Sequence, residues 1–194
     1  MRSGPITWEP LSKHTVFSTR VFDIAEISSK SPTGSEHQFY TLDARDWVII
    51  VPVLQSADNS TSFLMVTQWR HGSAAESIEF PGGVIDANED PVEAALRELC
   101  EETGYTAATM THLAALSPNP AIMSNRCHIF LAENMTNTHN QSPDDDEYLS
   151  VSTTPVREVI SNMGHGKYTH GLMLSALFLY LQKKGISAPA DIPV

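Results

Sequence analysis

Residues 83–105 read GVIDANEDPVEAALRELCEETGY, and they are the most informative stretch of the chain. Asp90 can cap a helix, Pro91 suits its first position, and Glu93 stands three after the cap, as in a capping box. The helix is expected to span Pro91 to Thr103, because Gly104 supplies the left-handed residue that ends helices. At about 100° per residue, Val92, Ala95, Leu96, Leu99 and Thr103 share a face suited to packing on a sheet. Glu98, Glu101 and Glu102 fall within an arc of about 100° on the other side, and only Arg97 is close enough to offset their repulsion. Most acidic helix faces are simply solvated. Carboxylates clustered against a helix's own stability also suit a hard divalent cation, which takes oxygen ligands.

Outward from this helix, the 194 residues suit one domain with a small extension. Hydrophobic residues at 41% and charged residues at 18% are ordinary for a fold that buries a core. The net charge of −11 argues against nucleic acid as the partner, since phosphate backbones favour basic surfaces. It still admits a phosphorylated small molecule if cations lie between protein and phosphate. Cys100 and Cys127 form no CxxC pair, which suits a reducing cytoplasm and gives no support for a zinc site. The N-terminus MRSGPITWEP has no apolar core of a signal peptide. Leu172 to Leu181 is about half the length that spans a bilayer, so a soluble protein with no membrane partner is expected.

His14 to Ile27 and Gln38 to Asp43 read as exposed strands around a Ser-, Pro- and Gly-rich turn, Ser28 to Glu36. Trp47 to Leu54 and Phe63 to Trp69 read as an apolar hairpin, and Ser77 to Phe80 as a short strand broken by Pro81-Gly82-Gly83. Arg126 to Glu133 and Tyr148 to Thr153 look like strands; Pro155 to Met163 and Tyr168 to Lys183 look like helices. Strands and helices without a regular βα repeat predict an α/β (α+β) fold, a mixed sheet with helices on its faces. Residues 1–45 are expected to form a β-rich extension, 46–185 the main domain and 186–194 a tail. The strands of the extension have limited apolar faces and no core of their own, so a homodimer that covers them is expected.

Gly83, Glu89 and the run Arg97-Glu98-Leu99-Cys100-Glu101-Glu102-Thr103-Gly104-Tyr105 resemble the signature box of the Nudix hydrolases, an α/β/α sandwich family. Only Tyr105 departs, standing where an aliphatic residue is usual. Such an array should arise by chance roughly once in a billion start positions. The resemblance implies that Glu98, Glu101 and Glu102 hold Mg²⁺ or Mn²⁺, with the Gly82 carbonyl as a further ligand. It also implies that Glu102 serves catalysis, that Arg97 fixes a glutamate, and that Glu89 braces the loop. Divalent ions neutralise diphosphate oxygens that would repel the attacking water.

Gln68-Trp69-Arg70 and Glu79-Phe80-Pro81-Gly82-Gly83 resemble segments of the ADP-ribose and sugar-nucleotide pyrophosphatases within that family. Arg70 and Glu79 are accordingly expected at the substrate, a guanidinium being able to grip phosphate through two hydrogen bonds. Asn119-Pro120 and Asp144 to Glu147 fall where that group carries loop residues. Glu147 closes the acidic run just before a strand and is the expected general base. Trp47, flanked by apolar residues, is expected in the core, and His165 and His170 in a loop and a helix cap.

These readings imply hydrolysis of ADP-ribose or a sugar nucleotide to a nucleoside monophosphate and a sugar phosphate. A hydrolase of dinucleoside polyphosphates or nucleoside triphosphates is the second reading. A non-catalytic nucleotide-binding regulator is the third, disfavoured because no box glutamate is lost.

Overall fold

A computed structural model describes residues 6–57, 60–138, 140–142 and 148–186. They fall into two compact units, 6–46 with 117–126, and 47–116 with 127–186.

The first unit is an antiparallel sheet, ordered β1 (Glu9–Ser18), β2 (Phe22–Lys30), β3 (Glu36–Ala44). The single strand expected from His14 to Ile27 is therefore two. Its break carries neither glycine nor proline. Thr19 makes it instead: its hydroxyl accepts from the Val21 and Phe22 N–H groups, and its own N–H donates to the Phe22 carbonyl. The turn between β2 and β3 falls within the expected stretch, with Gly34 at φ 93°. Segment 117–126 lies along β3: Leu42 pairs in parallel with Met123, and the Arg126 N–H donates to Asp46 at 2.7 Å. Asn119 folds this segment by accepting from Ala121, Ile122 and Met123 N–H groups. Every residue of β1 is exposed, and so are Phe39 and Tyr40 on β3.

The second unit is built on a mixed six-stranded sheet. It contains β4 (Trp47–Gln55), β5 (Thr61–Arg70), β6 (Ala75–Glu79), β7 (Tyr105–Leu116), β8 (Cys127–Asn137) and β9 (Leu149–Pro155). The order is β6-β5-β4-β8-β7, with β9 paired to β5. β4 and β8 are parallel; the other pairs are antiparallel. The expected β4–β5 hairpin exists only at its tip, from Val53–Phe63 to Gln55–Thr61. Beyond it β5 pairs with β6 and β4 with β8, while β9 runs along the other edge of β5.

β4 is apolar on both sides because both sides are covered. Val48 and Ile50 face helix α1 (Pro91–Thr103), in one core with Leu99, Ala94 and Phe130. Ile49, Val51 and Val53 face the other way, toward Val159 of α2 (Val156–Asn162) and Met173, Leu177 and Tyr180 of α3 (Gly171–Lys184). The result is the expected α/β/α sandwich. Trp47 packs against the second of these cores, as expected. His170 caps α3, its Nδ1 accepting from Leu172 N–H. Among the described residues no helix is long and apolar enough to cross a membrane.

Candidate active site

The acidic helix begins and ends where its caps dictate. Asp90 accepts from the Val92 N–H, and Gly104 closes the C-terminus at φ 74°. Its orientation differs from the expected one. Leu96 is 38% exposed, whereas Ala94 is fully buried and Glu98 and Glu102 are only 9% and 2% exposed. The helix is thus rotated so that two carboxylates, rather than Leu96, face inward. They face the loop that follows β6.

That loop is held by β4, with Ile50 N–H donating to the Pro81 carbonyl and Val48 N–H to that of Gly83, each at 2.9 Å. Between them the Gly82 N–H donates to Glu102 Oε2 at 2.9 Å. Both glycines are there for space. A Cβ on Gly82 would lie 2.2 Å from the Val48 carbonyl oxygen, and one on Gly83 would lie 2.4 Å from Glu98 Oε1. Glu98 therefore rests directly over the Gly83 backbone, and Glu102 is hydrogen-bonded to the residue before it.

Arg97 ties the remaining carboxylates together. Its Nε and Nη2 form a fork with Glu89 at 2.8 and 2.9 Å, and Nη1 reaches Glu98 at 2.9 Å and Glu101 at 3.0 Å. Nη2 also donates to the Val84 carbonyl. The fork holds the Glu89 carboxyl down to about 2, aided by the Asp86 N–H, and raises the guanidinium further above its ordinary value. Glu89 braces the loop through Arg97, as its box position implied.

Three carboxylates thus surround one guanidinium, and a fourth, Glu102, stands on the same inward face as Glu98, both nearly out of water. Burying that excess charge is unfavourable unless a cation joins it. The donors, carboxylate and main-chain oxygens, are those a hard divalent ion takes, so the site suits one in chemistry. Among the described residues no three acidic, His or Cys side chains already converge as a ligand set. Glu98 and Glu101 are instead turned to Arg97, and Glu102 to Gly82.

Arg70 and Glu79, expected at the substrate, are joined across the β5–β6 pair. Arg70 Nε and Nη2 meet the two oxygens of fully buried Glu79 at 3.0 and 2.7 Å. Burial alone would raise the Glu79 carboxyl; the Arg70 fork and Ser77 outweigh it and leave it lowered. Glu79 thereby fixes the direction of Arg70. Trp69 is half exposed. Glu147, with Asp144, Asp145 and Asp146, lies outside the described residues.

One contact had no motif to announce it. After β8 the chain returns to the end of α1: Gln141 Nε2 donates to the Glu102 carbonyl at 2.5 Å, Ser142 N–H to that of Glu101, and Thr138 N–H to that of Gly104. These bonds satisfy helix-end carbonyls that otherwise lack partners.

The family model for the NUDIX domain matches residues 44–172. An ADP-ribose pyrophosphatase of Bacillus subtilis is 28% identical over 77% of this chain and 80% of its own. The ADP-sugar pyrophosphatase of Mus musculus is 27% identical over 84% of this chain and 81% of its own. A crystal structure of an ADP compounds hydrolase superposes with a TM-score of 0.81 at 25% identity, covering 95% of this chain and all of the other. With its glutamate helix, glycine loop and mixed sheet in place, the chain belongs to the Nudix hydrolases.

Proposed function

We propose that this Nudix hydrolase cleaves the diphosphate of an ADP-linked sugar, releasing AMP and a sugar phosphate. The observation that carries the reading is the inward face of α1, where Glu98 and Glu102 are buried against Gly83 and Gly82. Two buried carboxylates one turn apart, one held by Arg97 and the other by the Gly82 N–H, form a site suited to cations and to what cations bring with them. Relatives named for ADP-ribose and ADP-sugar hydrolysis support that choice of substrate.

Glu98, Glu101, Glu102 and the Gly82 carbonyl would hold Mg²⁺ or Mn²⁺, which neutralises the diphosphate and acidifies water at the site. Arg97 keeps the carboxylates in place through Glu98 and Glu101. Arg70, aimed by Glu79, would meet a phosphate oxygen of the substrate. Glu147 takes the proton of the attacking water, whose oxygen bonds to phosphorus as the P–O–P bridge opens.

The test follows the products. ADP-ribose with Mg²⁺ or Mn²⁺ should give AMP and ribose phosphate, with inorganic phosphate appearing only after a phosphatase is added. In the same assay Glu147→Gln should lose roughly 100-fold in kcat at little change in KM, whereas Asp144→Asn should stay within a few-fold. A higher kcat/KM for nucleoside triphosphates or dinucleoside polyphosphates would overturn the substrate.

The protein would act as a homodimer in the cytoplasm. Ile6, Trp8, Phe17, Val21 and Tyr40 are exposed among the described residues on or beside the first sheet. A three-stranded sheet bare of a core is marginal alone, and a second copy can cover such a face by symmetry. Light scattering is expected to give twice the mass of one chain; a monomer across micromolar concentrations would refute this.

A further inference from the structure

A cavity of about 390 Å³ opens at the C-terminal end of α1, between the starts of β7 and β9 and the segment after β8. We propose that it binds the uncharged, hydroxyl-rich group that the substrate carries beyond its diphosphate, with Tyr105 as the residue that sets specificity. The proposal rests on the ADP-linked substrate proposed above and names where its sugar goes.

The lining decides the ligand. Among the described lining residues, Asn137, Asn140, Gln141, Ser152 and Thr153 carry amides or hydroxyls and none carries a charged side chain. A phosphate or a metal would want charge; neighbouring sugar hydroxyls, each donor and acceptor at once, want amides and hydroxyls. Leu64, Val151 and the Tyr105 ring give the apolar surface that a sugar's C–H face needs. The volume falls in the range of small-molecule sites, about 300–1,000 Å³.

Position ties the cavity to the chemistry. Thr103, in its wall, directly follows Glu102, and Gln141 donates to the Glu102 main-chain carbonyl. The cavity wall is thus joined, by the Thr103 backbone and the Gln141 amide, to the residue proposed above to meet the diphosphate.

Tyr105 is the one box position at which this chain departs from the aliphatic pattern. An aliphatic side chain would suffice for a strand that starts right after Gly104. Tyr105 is instead paired with Asn137, itself a lining residue, and its N–H is fixed by Thr103 Oγ1 at 3.1 Å. The departure gives a lining position a ring and a hydroxyl that an aliphatic residue lacks.

Tyr105→Val restores the aliphatic pattern, and Thr153→Val removes one hydroxyl while keeping a strand former. Each should lower the ratio of kcat/KM for ADP-ribose over the sugarless methyl ester of ADP, by about tenfold for Tyr105→Val. An unchanged ratio in both variants would overturn the proposal. A second measurement needs no turnover. Ribose 5-phosphate at millimolar concentration should raise the Tm of the parent and not that of Tyr105→Val. No rise in the parent, or an equal rise in both, also overturns it. If the parent cleaves no ADP-linked sugar yet shows the selective rise, the functional reading fails and the cavity assignment stands.

Discussion

Glu102→Gln should lower turnover on ADP-ribose at least ~100-fold, a loss of over ~2.7 kcal/mol of transition-state stabilisation, and leave the Tm at or above that of the parent. Glutamine keeps the carbonyl-type oxygen that accepts from the Gly82 N–H, so the loop has no reason to shift. It removes one negative charge beside Glu98 and Glu101, which already share the Arg97 guanidinium with Glu89. A buried like charge is relieved, and the fold loses nothing by it. What is lost is the carboxylate proposed to hold a cation on the inward face. Turnover near that of the parent at saturating Mn²⁺ would sink the assignment of this face as the catalytic centre.

Adjacent glycines should fail in opposite ways. Gly82→Ala places a methyl against the Val48 carbonyl, which belongs to the central strand β4 and cannot swing aside. Destabilisation of about 3 kcal/mol is expected, at the upper end for overpacking. Gly83→Ala places its methyl against the Glu98 carboxylate, the far end of a flexible side chain. Glu98 can turn away at small cost to the fold, and it then no longer sits where the other carboxylates need it. The expected result is a Tm within a few degrees of the parent and a kcat lowered by roughly 100-fold, since small misplacements at a reacting centre have effects of that order. Calorimetry and a turnover assay on the two proteins separate the cases; equal losses of stability would show that Glu98 is not free to yield.

Local signals were the ones that could be read in the sequence. The start and end of α1 are set by Asp90, Pro91 and Gly104, residues that act on their own neighbours, and the structure keeps them. The twelve residues of β7, YTAATMTHLAAL, show no alternation of apolar and polar side chains and are rich in Ala and Leu. Nothing local marks them as a strand; their partner is β8, more than ten residues away, and pairing decides. The turn at Thr19 was hidden because a hydroxyl does there what Gly or Pro usually does. The face of α1 was misjudged by the usual rule that the apolar stripe lies inward. Here Glu98 and Glu102 are drawn inward by the Gly82-Gly83 loop, and Leu96 is turned out. Within the site, the motif supplied the residue types, and the Arg70–Glu79 fork needed only the β5–β6 register. The role of Gln141 at the helix end was illegible, because no spacing rule links an amide to a carbonyl 39 residues earlier.

The smaller sheet has a mixed genealogy. Its three strands come from the first 46 residues, but Leu42, Arg45 and Asp46 find partners in Met123, Asn125 and Arg126, from the middle of the chain. An appendage joined only at its end can be gained or lost by a single splice, as beads are added to a string. This one borrows ten residues from between β7 and β8, so a clean excision at Asp46 would strand that loop's backbone bonds. Lengthening or shortening the β7–β8 loop would in turn be felt first in the sheet at the other end of the sequence. The two parts of the chain are therefore bound to change together, and shuffling either into another protein would need two cuts rather than one.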